Sequence, residues 1–463
     1  MVGGMIRTVI FGAALAAATL VPTGSRAQSL ADTLIAAYRT SNLLEQNRAT
    51  LRAADEDVAI ALATLRPVVN FVARGGISRS TGAAGVAQTS TTASLDLSAE
   101  VTLLDFGRGQ LAKDAAREQV LAVRQALIGV EQNVLLNAVG AFMDTRNALE
   151  TVALREANVR LITRELRATE ERFSVGEVTR TDIAIAEARL AGARAQLAAA
   201  QGDLAAAREG YKLVTGAYPT QLGTPPSLPR TAASLSAAQD IARVTHPAIK
   251  QAQHEVTAAE LNAERALAAR HGSVSASAST GLSARDPGNG GPNASIGLTY
   301  QRPIYQGGRL SATHRQALAR RDAARAALHQ TVAEVLQNVA NSWANVAVAS
   351  AQLQSTGLQV TASQTAYDGV REEATLGTRT ILDVLNAEQE LLNARTSRLS
   401  AQATQQTASY AVLGAMGLLT VDYLNLGIPT YDPEAYFNAV QNAPVTSRQG
   451  EALDRVLRTI GRP

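Results

Sequence analysis

The chain has 463 residues, of which 46% are apolar, only 18% charged and 4% aromatic, with no cysteine. The missing cysteine excludes disulfide staples, thiolate metal sites, a Cys nucleophile and a lipidated cysteine. The formal charge is +3, close to +1 once Arg7 and Arg26 of a leader are set aside, and it gives no reason to expect a nucleic-acid partner. Against 17 Phe, Trp and Tyr stand 89 alanines, which favours long helices packed by small side chains over an aromatic-rich globule.

Residues 1–27 carry one early positive charge at Arg7, an apolar run over 8–21, then Pro22, Gly24 and the triplet Ser25-Arg26-Ala27. That layout predicts a signal peptide cleaved after Ala27, leaving Gln28 first. The run is short for a helix that needs about 20 residues to cross a bilayer. No later stretch reaches 18 uncharged apolar residues, so no membrane-spanning helix is expected.

Past the leader the chain repeats itself. Residues 29–78 lie on 234–283 without a gap, with Ser29-Leu30 on Ser234-Leu235 and Ala61-Leu62-Ala63 on Ala266-Leu267-Ala268. Residues 93–216 lie on 294–417, where Gly176, Thr179 and Asp182 meet Gly377, Thr380 and Asp383. An internal duplication of this kind organises the fold. The expected domains are a first repeat over 28–217, a Pro-rich linker over 218–233, a second repeat over 234–420, and a tail over 421–463.

Each half reads helix, two strands, long helix, short turn, helix. The first helix is expected over 34–66. Strands follow from period-two alternation. Leu95, Leu97, Ala99, Val101 and Leu103 face one way, and Asp96, Ser98, Glu100 and Thr102 the other. Val69, Phe71, Ala73 and Ile77 alternate likewise, as do Val274, Ala276, Ala278 and Leu282, then Ala294, Ile296, Leu298 and Tyr300. Gly-, Pro-, Thr- and Asn-rich loops are expected between the paired strands, over 79–92 and 284–293. The long helices, 107–174 and 308–375, would each span roughly 100 Å at about 1.5 Å per residue. In the first, Val120, Leu127, Val134 and Ala141 recur every seventh residue beside a second stripe of Leu121, Ile128, Leu135, Phe142 and Leu149. Two adjacent stripes fit a helix in contact on both flanks, as in the wall of a helical tube, and fit an ordinary bundle core nearly as well.

A strand with one continuous apolar face needs a second sheet or lipid against it. A lipid-spanning sheet has no open edge, because lipid cannot satisfy free backbone groups. Four strands per chain fall short of the roughly eight of the smallest single-chain barrels, so other copies must complete them. Two copies give eight strands and a filled interior; three give twelve and an open lumen lined by Ser273, Ser275, Ser277 and Ser295.

The duplicated helix–hairpin–helix unit, the Gly-Arg pairs Gly107-Arg108 and Gly308-Arg309, and the tip motifs around Gly176 and Gly377 resemble the TolC-like outer-membrane efflux and secretion channels over about residues 29–420. The resemblance implies a mainly α fold with membrane β: a trimeric twelve-stranded β-barrel, four strands per chain, continued by a long α-helical coiled-coil barrel across the periplasm. It implies a homotrimer in outer-membrane lipid, docked on an inner-membrane transporter of the ABC or RND type and on a periplasmic adaptor (membrane fusion) protein. The channel would be a passive exit duct for drugs, small molecules or unfolded protein, with no catalysis and no cofactor. Tyr431-Asp432-Pro433-Glu434 in the tail resembles members serving type I secretion. An elongated periplasmic helical adaptor without a channel is the alternative.

At the tips, Gly176 and Gly377 are expected as left-handed residues closing the long helices. Thr179 and Thr380 are expected N-caps, with Asp182 and Asp383 completing capping boxes. By resemblance the periplasmic constriction corresponds to Asp383 and Asn386, and three copies of Asp383 about one axis would favour cations. Asn386 departs from the acidic pattern, which predicts weaker selectivity. The family's tip lock corresponds to Asp182, Arg379 and Ala374, so an Asp182–Arg379 bridge is expected while Ala374 lacks an aromatic hydroxyl. His246, His254, His271, His314 and His329 show no paired-ligand spacing, so no metal site is expected. Trp343, which aligns with Phe142, is expected to pack.

Overall fold

The computed structural model describes residues 27–81, 85, 87–442, 451 and 455. The predicted leader lies outside the described residues except for Ala27, as does most of the tail beyond Asn442.

The first repeat opens with two helices, α1 (Leu30–Thr40) and α2 (Asn42–Ala63), where the sequence suggested one. The break falls at Ser41, whose extended backbone ends α1 and whose hydroxyl accepts from the Leu44 N–H to cap α2. The second repeat breaks at the matching place. There α5 (Leu235–Thr245) and α6 (Pro247–Ala268) are separated by His246, which precedes a proline and is driven out of the helical region.

Strands β1 (Val68–Thr81), β2 (Ala87–Leu104), β3 (Ser273–Asp286) and β4 (Gly291–Gln301) form one antiparallel sheet in that order. The strands run further than the expected loops allowed. Thr81 pairs with Ala87, Thr91 pairs with Asp286, and Ser283 pairs with Gly291. Thr- and Ser-rich segments suit a pleated ladder, and pairing satisfies backbone groups that a longer loop would leave open. The register places the apolar residues together: Leu95 lies between Ala73 and Leu282, and Ala278 faces Ile296.

The long helices α3 (Arg108–Ser174) and α7 (Arg309–Thr375) each have 67 residues. They turn back into α4 (Arg180–Thr215) and α8 (Ile381–Ala415), giving two hairpins, and the tail adds α9 (Pro433–Val440). The main core sits at the middle of α3, where Leu135, Val139 and Phe142 meet Leu34 and Ala37 of α1, Tyr211 of α4, Ala242 of α5, Val339 of α7 and Leu413 of α8. Trp343 packs against its margin. Among the described residues, α3 alone contains an 18-residue window apolar enough to cross a membrane by composition, with a mean hydropathy of 1.3. Packing of α3 against α1, α2, α4, α6 and α8 buries 39% of that window.

The two long helices differ in burial. Fifteen residues of α3 are buried, including Val120, Val134, Leu135 and Phe142 of the predicted stripes, against five in α7. The cause is order. Above the core the helices run α2, α3, α6, α7, and below it α4, α3, α8, α7, so α3 is flanked on both sides while α7 stands at an edge.

Candidate functional site

Two places carry the chemistry: the lopsided sheet and the hairpin tips. On the sheet, Val69, Phe71, Ile77, Leu95, Leu97, Leu282, Ile296, Leu298 and Tyr300 all project from one face and are all exposed, Ile296 to 92%. Leaving such side chains in water forfeits about 1.5–3 kcal/mol each relative to an apolar environment. The opposite face carries Ser94, Asp96, Ser98, Ser275, Ser277, Ser279 and Ser295, with Arg74 donating to Asp96 at 3.1 Å and Ser279 bonded to Ser295 at 2.8 Å. Among the described residues β1 and β4 are each paired on one side only.

At the tips the punctuation is as the sequence predicted. Gly176 and Gly377 adopt φ of +82° and +77°, which glycine takes without a Cβ clash. Each completes a Schellman motif: Gly176 N–H donates to Phe173 and Glu177 N–H to Arg172, and Gly377 donates to Ala374 and Thr378 to Glu373. Thr179 then caps α4, its N–H and hydroxyl both donating to Asp182 at 2.8 Å. Thr380 caps α8 in the same way, its N–H and hydroxyl reaching Asp383 at 3.0 and 2.8 Å. Those two bonds, backbone first, hold the Asp383 carboxyl below the usual carboxylate range.

Within the chain Asp182 and Arg379 do not pair. Asp182 is engaged by Thr179, and the Arg379 guanidinium donates to Glu373 of its own hairpin at 2.8 Å. The capping geometry explains the difference, since a carboxylate already accepting two bonds at the helix start faces its own first turn. Ala374 packs beside Tyr367 and Val384. The side chain of Asn386 is also engaged, its Oδ1 accepting from Arg189 of α4 at 2.6 Å. A second polar bond between the hairpins, unmarked in the sequence, joins Asn158 of α3 to Glu388 of α8 at 2.5 Å, both of them buried. Around these bonds lie two apolar clusters, Ile162, Leu190, Ala193 and Leu385, then Tyr367, Val384 and Leu391. Glu187 stands where Glu388 does in the other repeat and is exposed, so residue type alone could not have marked the buried one.

Known proteins share this architecture. The outer membrane efflux protein family matches the chain twice, over residues 36–217 and again over 238–418, one match per repeat. The outer membrane efflux protein BepC of Brucella suis is 36% identical over 440 residues, covering 94% of this chain and 95% of that protein. The outer membrane protein TolC of Escherichia coli is 26% identical over 460 residues, covering 93% and 92%. Among solved structures, the CmeC outer membrane channel of Campylobacter jejuni superposes with a TM-score of 0.73 at 17% identity, over 84% of this chain and 86% of that one. A duplicated helical hairpin, a four-stranded sheet with a bare apolar face and a match to both repeats lead to one conclusion: the chain belongs to the outer membrane efflux protein family.

Proposed function

We propose that three copies of this chain close into a single outer-membrane exit duct, a twelve-stranded barrel continued by a helical tunnel. The observation that carries this reading is the coincidence of open edges. The sheet ends in β1 and β4, and the helical wall ends in α7 on one side and in α2 and α4 on the other. Strand directions alternate, so β4 of one copy would meet β1 of the next antiparallel, and α7 would pack against the next copy's α2 and α4. The exposed Val348 and Leu358 on α7 and Ile60 on α2 would gain partners there.

The polar face of the sheet would then line water and the apolar face would meet lipid. The duct itself holds no energy source. In the same reading an inner-membrane transporter and a periplasmic adaptor supply it and select the cargo, and Gln28 begins the mature chain. Efflux is favoured as the cargo class by the name of the Brucella relative, whose match covers 94% of this chain. Three copies of Asp383, ionised because Thr380 holds them so, would favour cations at the tip.

Planar-bilayer recording tests the proposal. The purified protein is expected to form stable channels that pass cations in preference to anions, and Asp383→Asn to weaken that preference by a few-fold. A protein that needs no detergent and leaves bilayers impermeable would point to the elongated periplasmic adaptor instead.

A further inference from the structure

Glu388 lies on α8, two turns inside the cap at Thr380, in the seam between the α3–α4 and α7–α8 hairpins. It is 5% exposed, and its Oε1 accepts from Asn158, itself 6% exposed. Its other oxygen, Oε2, is buried with no hydrogen-bond partner. Across the seam α3 presents Arg164 and Glu165 beside Asn158. From α7 comes the buried Tyr367, flanked by Asp368 and Arg371. From α4, Arg189 is engaged by Asn386. On α8 itself Asp383 is tied to Thr380, and Glu390 accepts from Gln359.

The position 201 residues earlier is Glu187, on the same turn of α4 and exposed to solvent. The burial of Glu388 therefore comes from where α8 lies, between α3 and α7, whereas α4 stands at an edge, and not from any demand of the helix sequence. We propose that Glu388 is a proton-operated joint: protonated, it lets the two hairpins close against each other near the tip, and ionised, it parts them.

The physical reason is the orphaned oxygen. A neutral carboxyl accepts the Asn158 N–H and leaves only a hydroxyl to accommodate. A carboxylate in the same seam carries a charge with one face unsolvated, which proteins avoid by neutralising the group or by admitting water. Water reaches Oε2 only if α8 moves away from α3. Burial, with a smaller push from Glu165, drives the Glu388 carboxyl up to about 7, although the Asn158 bond and Arg164 act the other way. Asp383, held low by Thr380, titrates far below this range.

The inference rests on the exit-duct reading, since the joint lies where the duct would narrow. Single channels of the full-length protein in planar bilayers, recorded from mildly acidic to mildly alkaline pH, are expected to widen roughly twofold, with a midpoint near 7. Glu388→Gln keeps the shape without the charge and is expected to hold the narrow conductance throughout. Asn158→Leu removes the bond that favours the charged form and is expected to move the midpoint upward, which keeps the test open if Glu388→Gln does not assemble. A flat wild-type response, a Glu388→Gln variant with an unaltered step, or an unmoved midpoint in Asn158→Leu would each overturn the joint. Absence of any conducting channel would overturn the duct and the joint together, whereas channels with a flat response overturn the joint alone.

Discussion

Asp55 on α2 is fully buried against α3, among Leu51, Ala54, Val58 and Val120, and neither of its carboxylate oxygens has a hydrogen-bond partner. Burial pushes its carboxyl up to about 7, with Arg124 pulling it down and Glu56 pushing it further up. A carboxyl raised in the folded state lowers stability as pH rises, because the unfolded chain ionises near 3.8 while the folded chain holds its proton until about 7. Asp55→Asn removes that loss. The variant is expected to match wild type below about pH 4 and to gain on it up to about pH 7, by at most about 4 kcal/mol, with a constant difference above. The midpoint of heat-induced dissociation in detergent, followed across that range, checks it; a pH-independent difference would contradict it. At this scale the sequence was legible where chemistry is local. Gly176, Thr179 and Asp182, with their counterparts Gly377, Thr380 and Asp383, announce a helix stop and a capping box, because both depend only on neighbours within five residues. Asp55 and Glu388 gave no such signal, since each is covered by a helix distant in the chain, Asp55 by α3 around Val120 and Glu388 by α3 at Asn158.

The Pro-rich linker behaves as a strap between the repeats. Its backbone pairs with the segment just before α1, Gln28 N–H donating to Gln221 and Gly223 N–H to Gln28 at 2.6 and 2.8 Å. Arg146 of α3 donates to the Gly223 carbonyl, and Gln406 of α8 to the Pro226 carbonyl at 3.0 Å. A segment with few amide donors and no regular structure is thus held by long side chains from both hairpins, one from each repeat. The double variant Arg146→Ala with Gln406→Ala is expected to leave the helices intact and to speed protease cleavage within 218–229 several-fold, because local opening controls cleavage there. Unchanged cleavage would mean that the Gln28 pairing alone holds the strap. Alternation of side chains made all four strands legible, since that period is written along the chain, and the expected bounds 107–174 came within one residue of α3. The division of the first helix at Ser41 was not legible, because Ser41 lies in an otherwise helical run and its cap depends on how α1 packs on α3. In the second repeat Pro247 marks the same break openly.

For the whole molecule, the contrast between α3 and α7 is the most informative feature. Two helices of 67 residues, descended from one repeat, bury fifteen and five residues because only α3 has neighbours on both flanks. The sheet repeats the pattern, with β2 and β3 paired on both sides and β1 and β4 on one. Both sets of open edges are satisfied by the same operation, a rotation that sets one copy's α7 and β4 beside the next copy's α2, α4 and β1. An isolated chain would leave the backbone of two strand edges facing lipid, at several kcal/mol for each unsatisfied group. Closure of the barrel therefore depends on how many copies share it, and native mass spectrometry of the detergent-extracted complex measures that number most directly. Three chains per particle is the predicted result. A detergent-free monomer, or a particle of any other copy number, would contradict it.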